Sequence, residues 1–167
     1  MTPSTPHLLV LGGFAALTAA AAFEDFRRRV IPNPIVLGLC VLWLMRLMVA
    51  PAVGSTAAAA AIGAAGAIFL AGALLFSRGF VGGGDVKLMA AATLWAGAGA
   101  VPALLLVTAL LGGFLSIVYL TPLGVRVAIM RSDVPQPTGA VARPAGIPYG
   151  VAIAAAALIV TLPPQLG

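Results

Sequence analysis

The sequence predicts an all-α fold, a polytopic membrane protein of six transmembrane helices with both termini on the outer side. Three observations predict it. The chain is 62% hydrophobic and only 8% charged, where a soluble domain carries about a quarter charged residues. Its mean hydropathy is +1.14. Its apolar stretches approach or exceed the roughly 18–20 residues needed to cross about 30 Å of hydrocarbon, and basic residues gather in alternate connections between them. A length of 167 residues makes a single membrane-embedded domain, 1–167, the natural reading.

The elements follow in order. The first span covers about 7–24 and ends at Glu24-Asp25. The second runs about 34–50, after Ile31-Pro32-Asn33-Pro34, because proline suits a helix start and not its interior. The third, about 56–76, is rich in Ala and Gly, a composition for close helix packing. The fourth starts near Asp85 and ends near Ala98, too short for a full crossing at 1.5 Å per residue. Either it continues through Gly99 to Pro102, or its start dips below the membrane surface. The fifth runs about 102–121 and the sixth about 147–163, each closed by proline. Residues 124–145, with Pro135, Pro137 and Pro144, read as a flexible cytoplasmic loop.

Charge placement sets the orientation. Arg27, Arg28 and Arg29 follow the first span. Arg78 and Lys87 lie between the third and fourth, and Arg126, Arg131 and Arg143 follow the fifth. Eight of the nine basic residues thus fall on one side, which the positive-inside rule makes cytoplasmic. Arg46, near the outer end of the second span, is the exception. It either snorkels to the outer interface or pairs inside the bundle, and snorkelling is the favoured expectation. Nothing basic precedes the first apolar run and three arginines follow it, the reverse of a secretory signal, so that run reads as a transmembrane helix.

The net charge of +5 does not point to nucleic acid, because the basic residues sit in short loops where they set topology and meet anionic lipid. The single cysteine, Cys40, can form no internal disulfide, and without a Cys-x-x-Cys pair no metal or other cofactor is expected.

The acids are the informative residues. Only four exist, namely Glu24, Asp25, Asp85 and Asp133. A carboxylate at the centre of a membrane helix costs roughly 2.5–3.5 kcal/mol on insertion scales. By the topology above, Asp25 ends the first helix and Asp85 begins the fourth, so both arrive at the cytoplasmic face. Two neighbouring carboxyls share a proton. The ionised one can activate water while the neutral one protonates a peptide carbonyl or leaving amine, which is amide hydrolysis without metal or covalent intermediate. Gly82, Gly83 and Gly84 before Asp85 let a substrate strand approach closely. Lys87 either tunes the local field or anchors the helix at the interface, and anchoring is favoured.

The stretch Asp25-Phe26-Arg27-Arg28-Arg29-Val30-Ile31-Pro32-Asn33 resembles the first signature of the type IV prepilin peptidase family. Gly82-Gly83-Gly84-Asp85-Val86-Lys87-Leu88 resembles its second, the GxGD motif of membrane aspartyl proteases. Gly146-Ile147-Pro148-Tyr149-Gly150 resembles a third feature before the last helix. The resemblance implies cleavage of the short basic leader of a prepilin or pseudopilin, on the cytoplasmic side of the substrate's hydrophobic helix in a bacterial inner membrane. It makes Asp25 and Asp85 the catalytic pair, with Gly82, Gly83, Gly84, Lys87, Pro148, Tyr149 and Gly150 supporting. The small peptidases of tight-adherence (Flp-type) pilus systems are the most similar members. Larger members also N-methylate the new terminus and carry a cytosolic segment, often with paired cysteines, after the first helix. This chain lacks that segment, and methyl transfer is not assigned to it.

Each motif residue also has a plainer reading. Asp25 alone is equally an interfacial charge balanced by arginines, and Asp85 alone equally a helix N-cap. Glu24 points about 100° around the helix from Asp25 and reads as solvated or arginine-paired. Asp133 reads as an exposed loop charge. The tryptophans and tyrosines read as interface or packing residues, and Pro148 as a helix start. Two rival functions remain at this point. A proton-coupled transporter would hold its carboxylates near the midplane of repeated halves. A non-catalytic assembly factor would tolerate replacing both aspartates.

Overall fold

In the computed structural model, residues 5–49, 54–121 and 147–166 are described. They form α1 (Thr5–Arg28), α2 (Asn33–Val49), α3 (Ser55–Ser77), α4 (Gly83–Ala96), a 3-10 turn (Ala98–Ala100), α5 (Val101–Leu120) and α6 (Tyr149–Leu166). No strand occurs among the described residues. The loop expected at 124–145, with Asp133 and three of the arginines, lies outside them, as does Gly146 of the third motif.

Three helical segments, Thr5–Arg28, Ser55–Ser77 and Ala98–Leu120, are long and apolar enough to cross a membrane, while Asn33–Val49 and Tyr149–Leu162 are apolar but shorter. Surface chemistry agrees with a lipid setting. Of α3 only Ala61 and Ala65 are buried, and of α5 only Leu104 and Gly112. Large apolar side chains such as Phe69, Leu70, Leu106 and Phe114 point outward. A water-facing surface of this kind would be an aggregation hazard, but against hydrocarbon it is the favourable state.

Helix α4 is the interior element. Val86, Leu88, Ala91, Ala92, Thr93 and Trp95 are all buried, on more than one face of its 14 residues. A helix apolar all round belongs in a core. It does not continue through Gly99. It stops at Ala96, where Gly97 takes φ +82° and the Gly97 N–H donates to Thr93 O at 2.9 Å. At 1.5 Å per residue the 14 residues of α4 reach about 21 Å, well short of the hydrocarbon thickness. At the other end, α3 closes with a Schellman turn. The Gly79 N–H donates to Phe76 O and the Phe80 N–H to Leu75 O, and the chain turns sharply back into α4.

Helix α6 packs against α1, α4 and α5, and α2 packs against α1 and α4. The core face of α6 is lined by Ala152, Ala154, Ala156 and Ala157, all at most 1% exposed. Side chains this small let helix backbones approach closely. At the end of α4 remote from Asp85, the Phe14 ring of α1 stacks on Trp95, with centroids 4.3 Å apart. Trp95 Nε1 donates to Leu39 O of α2 at 3.0 Å.

Arg46 departs from the favoured expectation. It does not snorkel outward but is 7% exposed, with Nη1 donating to Trp95 O at 3.2 Å and the guanidinium 5.6 Å from the centre of the Trp95 ring. The physical reason lies in α4. Because that helix ends inside the bundle, the carbonyls of its last turn need a donor, and a cation suits the negative end of a helix dipole. Arg46→Met should therefore loosen the α2–α4 contact. A thermal melt of the detergent-solubilised protein should show it destabilised by about 1.5–3 kcal/mol, the usual worth of a hydrogen bond to a charged group.

Candidate active site

The first-motif aspartate stands in the last turn of α1 and the second in the first turn of α4. These helix ends meet around an open cavity of about 190 Å³ lined by Asp25, Arg29, Val30, Ile31, Gly82, Gly83, Gly84 and Asp85. That is room for several water molecules. The two carboxyl groups are close enough for their charges to repel.

Asp85 occupies the third position of α4, with Gly82 as N-cap. Its carboxyl turns back toward the Gly82 N–H, the reach of a capping-box side chain to the N-cap donor. The fit depends on residue 82 lacking a side chain, because a Cβ there would lie 2.8 Å from Asp85 Oδ2. Gly84 faces Ile31, whose Cβ would lie 3.2 Å from an added methyl, so the two motifs touch at this point. The flanking glycines are thus tied to the placement of the acid as well as to the openness of the cavity.

Asp25 is 6% exposed. It faces the start of α6, where the backbone N–H groups of Gly150 and Val151 are directed at its carboxyl. Helix N-termini offer free N–H groups and a positive dipole end to an anion. The Val151 N–H also donates to Pro148 O at 3.2 Å, and Asp25 Oδ2 is buried without a well-aligned hydrogen-bond partner. Arg29 adds a positive charge on the same side. Gly150 lies so close that a Cβ would stand 2.7 Å from Asp25 Oδ2 and 2.9 Å from Ile31 Cδ1.

The other motif residues fall elsewhere. Lys87 is outside the cavity lining and donates from Nζ to Asn33 Oδ1 at 3.0 Å, joining α4 to the start of α2. Pro148 is fully buried at the head of α6. Tyr149 turns toward α5, its ring against Gly112 and its hydroxyl 3.2 Å from Ser116 Oγ. Glu24 pairs with Arg28 at 3.4 Å and does not line the cavity. Two features were not singled out by sequence reasoning. One is Arg29, which nothing in an Arg-Arg-Arg run distinguishes from its neighbours. The other is the packing of Gly150 on Asp25, which requires knowing that α6 docks beside α1.

The fold and this cavity define a helical membrane protein with a paired-carboxyl site at one end of its bundle. The sequence pattern of the type IV leader peptidase family matches residues 13–117, which include both aspartates and the glycines before Asp85. The chain belongs to the type IV leader peptidase family, and with it to the peptidases of the aspartic, GxGD type. No curated protein and no solved structure matches it. Helix α6, with Gly150, lies beyond the matched stretch.

The close approaches give a direct test. Gly150→Ala should push the Asp25 carboxyl aside, and Gly82→Ala the Asp85 carboxyl, each lowering peptidase activity at least about tenfold, in line with the sensitivity of catalysis to displacements near 1 Å. Both proteins should still accumulate in membranes. Gly63→Ala, where an added Cβ meets nothing within 4 Å, should leave activity unchanged in the same assay.

Proposed function

We propose that this chain is a membrane aspartyl endopeptidase that removes the short basic leader of prepilins or pseudopilins at the cytoplasmic face of a bacterial inner membrane. The observation that carries the reading is the convergence of Asp25 and Asp85, 60 positions apart in the chain, on one water-accessible cavity. Family membership supports the leader-peptidase class. The arginines after α1 and the basic residues around the α3–α4 turn support a cytoplasmic position for that end. The absence of a cysteine-bearing segment between α1 and α2 favours the small Flp-type members over the bifunctional ones, so methyl transfer is not part of the proposal.

The surroundings of the two acids differ, and the difference supports a separate role for each. The N–H groups of Gly150 and Val151 and the Arg29 charge all face Asp25, whereas Asp85 faces the Gly82 N–H and the Asp25 charge. Burial disfavours the charge on both acids, and the N–H groups and Arg29 offset this at Asp25, which supports Asp25 as the base and Asp85 as the carrier of the shared proton. Asp25 takes a proton from the bound water as its oxygen attacks the scissile carbonyl carbon. Asp85 gives its proton to the leaving nitrogen as the C–N bond breaks. Proton exchange with water in the open cavity restores the starting state. The apolar outward faces of α3 and α5 leave the surrounding lipid free to carry a substrate whose own helix stays in the bilayer.

Co-expression with a prepilin tests the reading on a gel. Asp25→Asn and Asp85→Asn should each abolish processing, a fall of at least about 10³-fold if general acid–base chemistry of each carboxyl is lost, while the protein remains in the membrane. Glu24→Gln, which breaks a partly exposed pair with Arg28, should process normally. Normal cleavage by either asparagine variant would contradict the mechanism.

A further inference from the structure

Arg29 does more than mark topology. Its backbone has φ +55°, and among the described residues no other non-glycine has a positive φ. A bulky L residue in this region is strained by of order 1–3 kcal/mol, so the surrounding structure holds it there. The consequence is a placement that Arg27 and Arg28 do not share. Those two are exposed, Arg27 over the Phe23 ring and Arg28 beside Glu24. Arg29 instead lines the cavity with the two aspartates. Its Nη1 and Nη2 are both buried and neither has a hydrogen-bond partner. Buried guanidinium donors left unpaired are costly and rare. Here they belong to a residue that lines the cavity of the two aspartates.

We propose that Arg29 is a catalytic residue that binds the carbonyl oxygen of the scissile peptide through its terminal N–H groups and holds the negative charge that develops there. The assignment rests on the leader-peptidase reading and deepens it. Among the side chains that line the cavity, Arg29 alone carries N–H donors. Val30, Ile31 and the three glycines offer no side-chain N–H or O–H. The N–H groups of Gly150, Val151 and Gly82 are already directed at the two carboxyls. An extended peptide entering between the acids must bring its carbonyl oxygen with it, and that acceptor matches a two-pronged donor. As water adds to the carbonyl carbon, the C=O π pair moves onto oxygen and is met by a fixed positive charge. The Asp85 proton is then kept for the leaving nitrogen. When the C–N bond breaks, the pair returns to re-form C=O in the product acid.

The test compares four purified variants with the wild-type enzyme, all in detergent on a prepilin substrate, separating kcat from KM. The decisive variant is Arg29→Gly, because glycine accepts the positive φ and removes only the side chain. It should lose about 10²–10³-fold in kcat, the usual effect of deleting one oxyanion donor, with KM changed less than about threefold. Arg29→Lys, which keeps the charge and loses the fork, should fall between Arg29→Gly and wild type. Arg27→Ala and Arg28→Ala remove the same charge from exposed positions and should stay near wild type. Guanidinium ion at non-denaturing concentration should restore part of the Arg29→Gly rate and leave wild type unaffected, a response that a purely topological or structural arginine would not give. The assignment is overturned if Arg29→Gly loses no more kcat than Arg27→Ala, or if its loss lies wholly in KM. Should Arg29→Gly fail to accumulate, Arg29→Lys decides by the same criteria. A wild-type enzyme that leaves prepilin intact would overturn the proposed function itself, an outcome distinct from an active enzyme indifferent to Arg29.

Discussion

The arrangement depends on how closely α6 can sit against α1 and α4. Its core face is built from alanines, Ala152, Ala154, Ala156 and Ala157, which bring almost no bulk to the contact. Without a hydrophobic drive between helices in lipid, such close backbone contact supplies the packing energy. It also sets position. With α6 seated this deeply, its first N–H groups reach the Asp25 carboxyl and its Gly150 backbone lies against it. Larger side chains on that face would part the helices and leave a buried acid without the N–H groups that now face it.

The two ends of α4 place complementary demands on the bundle. At the end remote from Asp85, a helix that stops inside the protein needs donors for its last carbonyls, and Arg46 meets Trp95 O there. Nearby, Trp95 is fixed by the Phe14 ring and by Leu39 O. At the Asp85 end, a tight turn after α3 delivers Gly82 to Asp85 as a helix start with its acid folded back on the cap. A short helix anchored at its far end presents its near end accurately, which holds Asp85 in place across the cavity from Asp25.

Much of this was legible beforehand, because the signals are local. The motif residues before Asp85 mark a helix start, and hydropathy bounded the apolar helices to within a few residues, as for α5, expected near 102–121 and observed at Val101–Leu120. The fate of Asp25 was legible because the expected alternation of spans puts the end of the first helix and the start of the fourth on the same side. What stayed hidden depends on docking. Arg46 near a membrane edge has two good solutions, and choosing between them requires knowing that α4 ends beside it. Arg29 is one of three arginines in a row, and only the backbone turn after α1 separates it from the others. Gly150 reads as a helix-start residue, and its contact with Asp25 exists only once α6 lies beside α1.

The nearness of the two acids is the central claim, and a chemical ruler measures it most directly. In a Cys40→Ser background, Asp25→Cys and Asp85→Cys together place two thiols across the cavity. A short bifunctional thiol reagent applied to membranes should then join α1 to α4 within one chain, seen as retention of a single band after proteolysis of a site engineered between the helices. Efficient joining, absent when either cysteine stands alone, is the predicted result. Two thiols that react singly with the reagent and never become linked would contradict the shared cavity.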